Sequence, residues 1–230
     1  MGMTPVESYP MPTEDELPEN TVQWTVDPRR AVLLIHDMQR YFLDAFPAGR
    51  SPVTELVRNA SALRERCAEL GIPVAYTVQP GGMTERDRGL LKDFWGSGMA
   101  VAPEHRDVVE QLRPRVGDLV LTKWRYSAFH RTRLLAAMRE QGRDQLVVCG
   151  VYAHIGVLMT SVDAFTSDIR PFLVADAVAD LSAEYHRFAL RYAAERCART
   201  VTTATVLDEL GAEAAMTAQA TQTAMAGRAA

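Results

Sequence analysis

Six short stretches of the chain are almost wholly apolar or β-branched: AVLLI at 31–35, PVAYTV at 73–78, DLVLT at 118–122, LVVCGV at 146–151, PFLVA at 171–175 and RTVTT at 199–203. The first and fourth show no polar alternation, which predicts strands covered on both faces. Segments of helical period lie between them. Over 53–70, Val53, Leu56, Val57, Ala60, Leu63, Cys67 and Leu70 form one stripe, and Gly71 follows as a stop. Further helices are predicted at 131–140, from Gly156 to about Phe165, and at 182–198 behind a Ser182 cap. Strands alternating with helices predict an α/β three-layer sandwich, with a mainly parallel six-stranded sheet and helices on both faces.

The pattern weakens at both ends. Residues 1–28 hold Pro5, Pro10, Pro12 and Pro18, which forbid a continuous helix. They predict an extended arm, packed on its own domain or on a neighbouring subunit. The folded domain is expected over 29–210. Residues 211–230 are alanine-rich without a fixed apolar face and read as frayed helix or disordered tail.

Composition narrows the function classes. A chain of 230 residues with 47 % hydrophobic and 23 % charged content buries a sizeable core, and a net charge of -4 gives no electrostatic argument for nucleic acid or a membrane surface as partner, neither of which is expected. An acidic, proline-rich start is not a signal peptide, and no apolar run is long enough to span a membrane; a reduced cytoplasmic protein is expected. Cys67, Cys149 and Cys197 are widely spaced, with no C-x-x-C pair, and read as buried free thiols. His36 and His154 lack a third ligand at matching spacing, so a metal is not expected and both read as structural histidines.

In a parallel sheet, ligands bind at the carboxyl ends of the strands. Asp37 follows the first strand, Gln79 the second, Lys123 the third and Tyr152 the fourth, so the four converge on one rim. The stretch CGVYAHIGVL, 149–158, reads as strand, tight turn and helix start. Such turns often carry a serine or cysteine nucleophile, and here Gly156 stands in that place. Ser127 and Ser161 sit on no sharp elbow, which argues against a Ser-His-Asp hydrolase. GVYAHIG lacks the glycine spacing of a dinucleotide fingerprint.

LLIHDMQRYF, TKWRYSAFH and CGVYAHIGV together resemble the isochorismatase-like superfamily, over about Tyr9 to Thr203. Its cysteine-hydrolase branch has an Asp, a Lys and a nucleophilic Cys. The resemblance places Asp37 and Lys123 in the first two roles and Gly156 at the Cys, which matches the branch that cleaves a vinyl ether without a covalent intermediate. That chemistry requires a general acid to protonate the enolpyruvyl methylene, a role the resemblance gives to Asp37. It further implies that Lys123, Gln79 and Arg88 hold carboxylates and polar ring groups. Trp95 and Phe42 would form apolar walls, and Tyr152 and Gly156 would offer backbone contacts. A non-proline cis peptide at Val151-Tyr152, a Rossmann-like sheet, a homodimer and no cofactor are also implied. The run QPGGMTERDRGLLKDFWGSGM at 79–99 is most similar to phenazine-pathway members acting on 2-amino-2-deoxyisochorismate. Siderophore-type members acting on isochorismate share the other two runs, and many carry a fused carrier domain. The chain continues only about 25 residues past the last predicted strand, which favours the amino substrate. A silent docking domain would have no use for Asp37 and Lys123 together.

Overall fold

The computed structural model describes residues 5–212; all but the first two positions of the expected tail lie outside the described residues. The strands are β1 (Ala31–His36), β2 (Val74–Val78), β3 (Leu119–Thr122), β4 (Gln145–Val151), β5 (Arg170–Ala179) and β6 (Arg199–Val201). The helices are α1 (Arg40–Leu43), α2 (Val53–Glu69), α3 (Glu85–Arg88), α4 (Leu91–Trp95), α5 (Pro103–Arg106), α6 (Leu134–Glu140), α7 (Leu158–Thr166) and α8 (Ala183–Arg196). Residues 203–212 are also helical.

The strands pair in the order β3-β2-β1-β4-β5-β6, and every pairing is parallel. Side-chain alternation divides the core. Leu33, Ile35, Val147, Cys149, Phe172 and Val174 face one layer with Leu56, Ala60 and Leu63 of α2 and with Val206 and Leu210 of the last helix. Val32, Leu34, Leu146, Val148 and Leu173 face the other, with Leu134, Leu158, Ala189 and Leu190 from α6, α7 and α8. This is the three-layer sandwich expected from the alternation. The strand order reverses between β1 and β4, the crevice where such sheets hold ligands.

Several boundaries differ from expectation, each for a local reason. The helix expected to begin at Gly156 begins earlier, as a π-helical turn over Ala153–Val157, and continues as α7. The helix expected from 131 starts at Leu134, because Arg131 has a left-handed φ of 57. Strand β5 runs to Ala179, since a register shift against β4 lets Val178 and Ala179 pair with Gly150 and Val151. The last strand stops at Val201 rather than Thr203: Thr202 Oγ1 accepts the Thr205 N–H at 3.2 Å and caps the final helix.

The arm packs on its own domain. Val6, Tyr9 and Val26 are buried in the α2-side layer, and Asn20 exchanges hydrogen bonds with the Thr200 backbone. The Tyr9 hydroxyl accepts the Asp180 N–H at 2.7 Å and lies 3.2 Å from His186 Nδ1.

Arg64 of α2 is buried and ties that layer to the sheet. Its Nε donates to the Tyr76 hydroxyl and its Nη2 to Asp118 Oδ2, each at 2.9 Å. Removing one partner of such a pair strands the others in a low-dielectric site. Arg64→Ala is expected to cost about 3 kcal/mol, read as a urea midpoint lower by about 1 M or more. A midpoint within the error of wild type would mean that the pair contributes no net stability.

Candidate active site

Register brings the strand ends together. His36 pairs with Thr77 and with Gly150, and Val78 pairs with Thr122. Asp37, Gln79, Lys123 and Tyr152 therefore leave four adjacent strands at nearly the same level. Asp37, directly after β1, takes a left-handed φ of 51. All eight residues singled out above, Asp37, Phe42, Gln79, Arg88, Trp95, Lys123, Tyr152 and Gly156, line one cleft of about 580 Å³ counted to its open mouth. The Val151-Tyr152 peptide at its floor is cis.

Asp37 is 4 % exposed and Lys123 2 %. Lys123 Nζ donates to Asp37 Oδ2 at 2.7 Å, and Gln79 Nε2 donates to the same oxygen at 3.2 Å. Oδ1 accepts from the Thr77 hydroxyl at 2.7 Å. Burial pushes the Asp37 carboxyl up, but Lys123 and the other donors outweigh it and hold the group below its ordinary value. The resting group is a carboxylate. Lys123 is itself positioned by its N–H, which donates to Val78 O at 2.9 Å. Gln39 fixes Gln79 from both sides: its Oε1 accepts the Gln79 N–H at 2.7 Å and its Nε2 donates to Gln79 O at 3.0 Å.

A cap made of α3 and α4 forms part of the cleft wall. Arg88 is buried beneath it, with Nε donating to Gly96 O at 2.9 Å and Nη2 to Trp95 O at 3.3 Å. Two clasps hold the cap to the segment after Lys123. Trp95 Nε1 donates to the Tyr126 hydroxyl at 2.9 Å, and Arg125 Nη1 donates to Asp87 O at 2.7 Å. Tyr41, Leu91, Met99 and Ile155 complete the apolar wall beside Phe42 and Trp95. On the floor, the Tyr152 hydroxyl donates to Phe42 O at 2.7 Å, so its ring serves as wall and its reactive atom is engaged.

The turn that carries Gly156 is anchored from behind. Asp180 Oδ2 accepts the His154 N–H at 2.6 Å and Oδ1 accepts from His154 Nδ1 at 2.7 Å. His154 is thus a paired structural histidine, whereas His36 is only half satisfied: Nδ1 donates to Val151 O at 2.9 Å, and Nε2 has no hydrogen-bond partner. Burial lowers the His36 imidazole to about 4, so the ring is neutral. Among the described residues, no group of three or more His, Cys, Asp or Glu side chains converges on a metal site.

Sequence reasoning missed Thr77, Gln39, Arg125 and Tyr126. Arg125 and Tyr126 lie inside TKWRYSAFH, yet nothing in that run signals that they reach the cap. Thr77 and Gln39 are uncharged, and their part is visible only through their partners. Among the described residues, the cleft is lined by three cationic side chains, Lys123, Arg88 and Arg125, and by the one carboxylate of Asp37. That balance favours a substrate with two negative charges.

A family model described as Isochorismatase domain matches residues 31–205. The phenazine biosynthesis protein PhzD1 of Pseudomonas aeruginosa is 58 % identical over 207 residues, which is 90 % of this chain and 99 % of that protein. An isochorismatase of Bacillus subtilis is 56 % identical over 210 residues, covering 91 % of this chain and 67 % of its own. A solved cysteine hydrolase from Pseudomonas syringae pv. phaseolicola superposes with a TM-score of 0.76 over 84 % of this chain and 97 % of that one, and at 23 % identity the likeness is one of fold.

Proposed function

The chain belongs to the isochorismatase family of hydrolases, and from that premise we propose that it cleaves the enolpyruvyl vinyl ether of 2-amino-2-deoxyisochorismate. The products are trans-2,3-dihydro-3-hydroxyanthranilate and pyruvate. One juxtaposition carries the reading: a buried carboxylate, Asp37, shares a cleft with a turn whose residue 156 has no side chain to attack with. A group that can take up and pass on a proton stands in the cleft, and position 156 offers no nucleophile. The amino substrate is supported by the extent of the likeness to the phenazine biosynthesis protein, which spans nearly all of that relative.

The substrate's two carboxylates are received by Lys123, Arg88 and Arg125. Once Lys123 is engaged by a substrate carboxylate, desolvation dominates at Asp37 and the carboxyl takes up a proton from solvent. It delivers that proton to the terminal methylene carbon, leaving an oxocarbenium ion. A water molecule adds to the cation and returns a proton to Asp37. The hemiketal then collapses, its C–O bond to the ring breaks, and pyruvate and the ring alcohol leave. The balance is one water consumed, with no redox partner. Phe42, Trp95 and Tyr152 wall the cleft against further water. A homodimer belongs to the same proposal, and a sedimentation experiment that finds only monomer at micromolar concentration removes it.

A second reading, hydrolysis of isochorismate, is favoured by the 56 % identical relative named an isochorismatase. Pyruvate release, coupled to lactate dehydrogenase, separates the two. A higher kcat/KM for the amino compound is expected. Preference for isochorismate establishes the second reading, and no pyruvate from either substrate removes both.

A further inference from the structure

Residue 156 is glycine because of a side chain 120 positions earlier. An ideal Cβ built at Gly156 stands 2.3 Å from Cε1 of His36, 3.0 Å from Nε2 and 3.2 Å from Nδ1. The first separation is far inside any real carbon contact, so an alanine at 156 requires the imidazole to move. The ring is confined. It is 0 % exposed, its Nδ1 is fixed on the Val151 carbonyl, and its own main chain is pressed by Gly150, where a Cβ would stand 2.1 Å from His36 O. Gly150 has a φ of 118, a conformation that only glycine adopts readily. Gly150 at the end of β4 and Gly156 in the turn thus both lie against His36, one at its backbone and one at its ring.

We propose that His36 is a specificity-determining residue that sets the type of reaction: its imidazole fills the volume a side chain at the β4 turn would occupy, which excludes a nucleophile there and leaves Asp37 as the sole reactive group. The chemical part of this inference rests on the proposed function; the steric part does not. His36 directly precedes Asp37. Any residue that displaces the ring also displaces the acid, so bulk at 156 acts on kcat through a residue that the substrate never touches.

The test is a double-mutant cycle of wild type, Gly156→Ala, His36→Ala and the double variant, read by Tm and by pyruvate release. Gly156→Ala is expected to lower Tm by about 5–10 °C, as overpacking does. Its kcat is expected to fall about 100-fold, with KM within about threefold of wild type. His36→Ala lowers Tm in the wild-type background but raises it in the Gly156→Ala background, and that change of sign identifies the steric clash. Should Gly156→Ala give no soluble protein, recovery of folded double variant supports the proposal and failure to recover it overturns it. Equal Tm losses from His36→Ala in both backgrounds overturn it, as does a Gly156→Ala protein with wild-type Tm and kcat. In a fourth variant, His36→Ala/Gly156→Cys, the new thiol is expected to be alkylated by iodoacetamide faster than the three buried native thiols; no added labelling counts against the freed volume. The two arms fail separately: a coupled Tm cycle with no pyruvate from wild type removes the reading of Asp37 and keeps the steric assignment.

Discussion

Replacing Asp37 by Asn is expected to lower kcat for pyruvate release by about 10³-fold, while the protein stays folded and still binds its substrate. Asparagine suits the site geometrically. Its carbonyl oxygen accepts from Lys123 and Gln79 as Oδ2 does, and its amide donates to the Thr77 hydroxyl, which rotates to accept. What is lost is the charge opposite Lys123 and the proton that a carboxyl can deliver to carbon. Tyr152 has its hydroxyl committed to Phe42 O, and burial raises its pKa. The check is a paired measurement of kcat and of ligand affinity by calorimetry on the purified variant. If Asp37→Asn turns over at more than a tenth of the wild-type rate, the general acid lies elsewhere.

Lys123→Met is expected to show the second large effect, on stability and its pH dependence together. In the native site the Asp37 carboxyl is held below its ordinary value. A carboxyl lowered in this way contributes stability above its unfolded pKa of about 3.9, and the contribution is lost as pH falls through the folded value. Removing the ammonium leaves burial as the strongest influence, so the folded pKa rises above the unfolded one. The sign then reverses: the variant is least penalised in acid, and the penalty grows as pH rises from the unfolded value through the new folded one. At neutral pH a loss of about 3–5 kcal/mol is expected, the cost of an uncompensated buried charge. Urea midpoints for both proteins between about pH 4 and pH 8 measure it. A difference that stays constant, or that shrinks as pH rises, would show that Lys123 is not what keeps Asp37 ionised.

The strands and long helices were legible because their information is local. A continuous apolar run such as AVLLI and the stripe on α2 each point to one element, and alternation of the two types leaves a parallel sheet as the consistent solution. The rim residues followed from that sheet, since a strand end locates a side chain without any tertiary knowledge. The cap was not legible. α3 and α4 have four and five residues, too few for a periodic signal, and they are held by Trp95 on Tyr126 and Arg125 on Asp87 O rather than by propensity. The last helix was obscured because Thr202 reads as a β-branched strand residue, whereas it acts as a cap. At residue 156 the sequence displayed the glycine but not its cause, because the imidazole behind it comes from the far end of β1.

The hydrogen bonds of Tyr9 bear on how this protein can be dismantled and recombined. Tyr9 reaches from the proline-rich arm to Asp180, and Asp180 in turn grips both the backbone and the ring of His154 in the turn that presents Gly156. Residues 5–28 are therefore tied to the domain they precede and cannot be exchanged at will. A chimera that grafts another relative's arm onto this domain has to import a hydroxyl at position 9, or else the Asp180 main chain behind the 153–157 turn loses its partner.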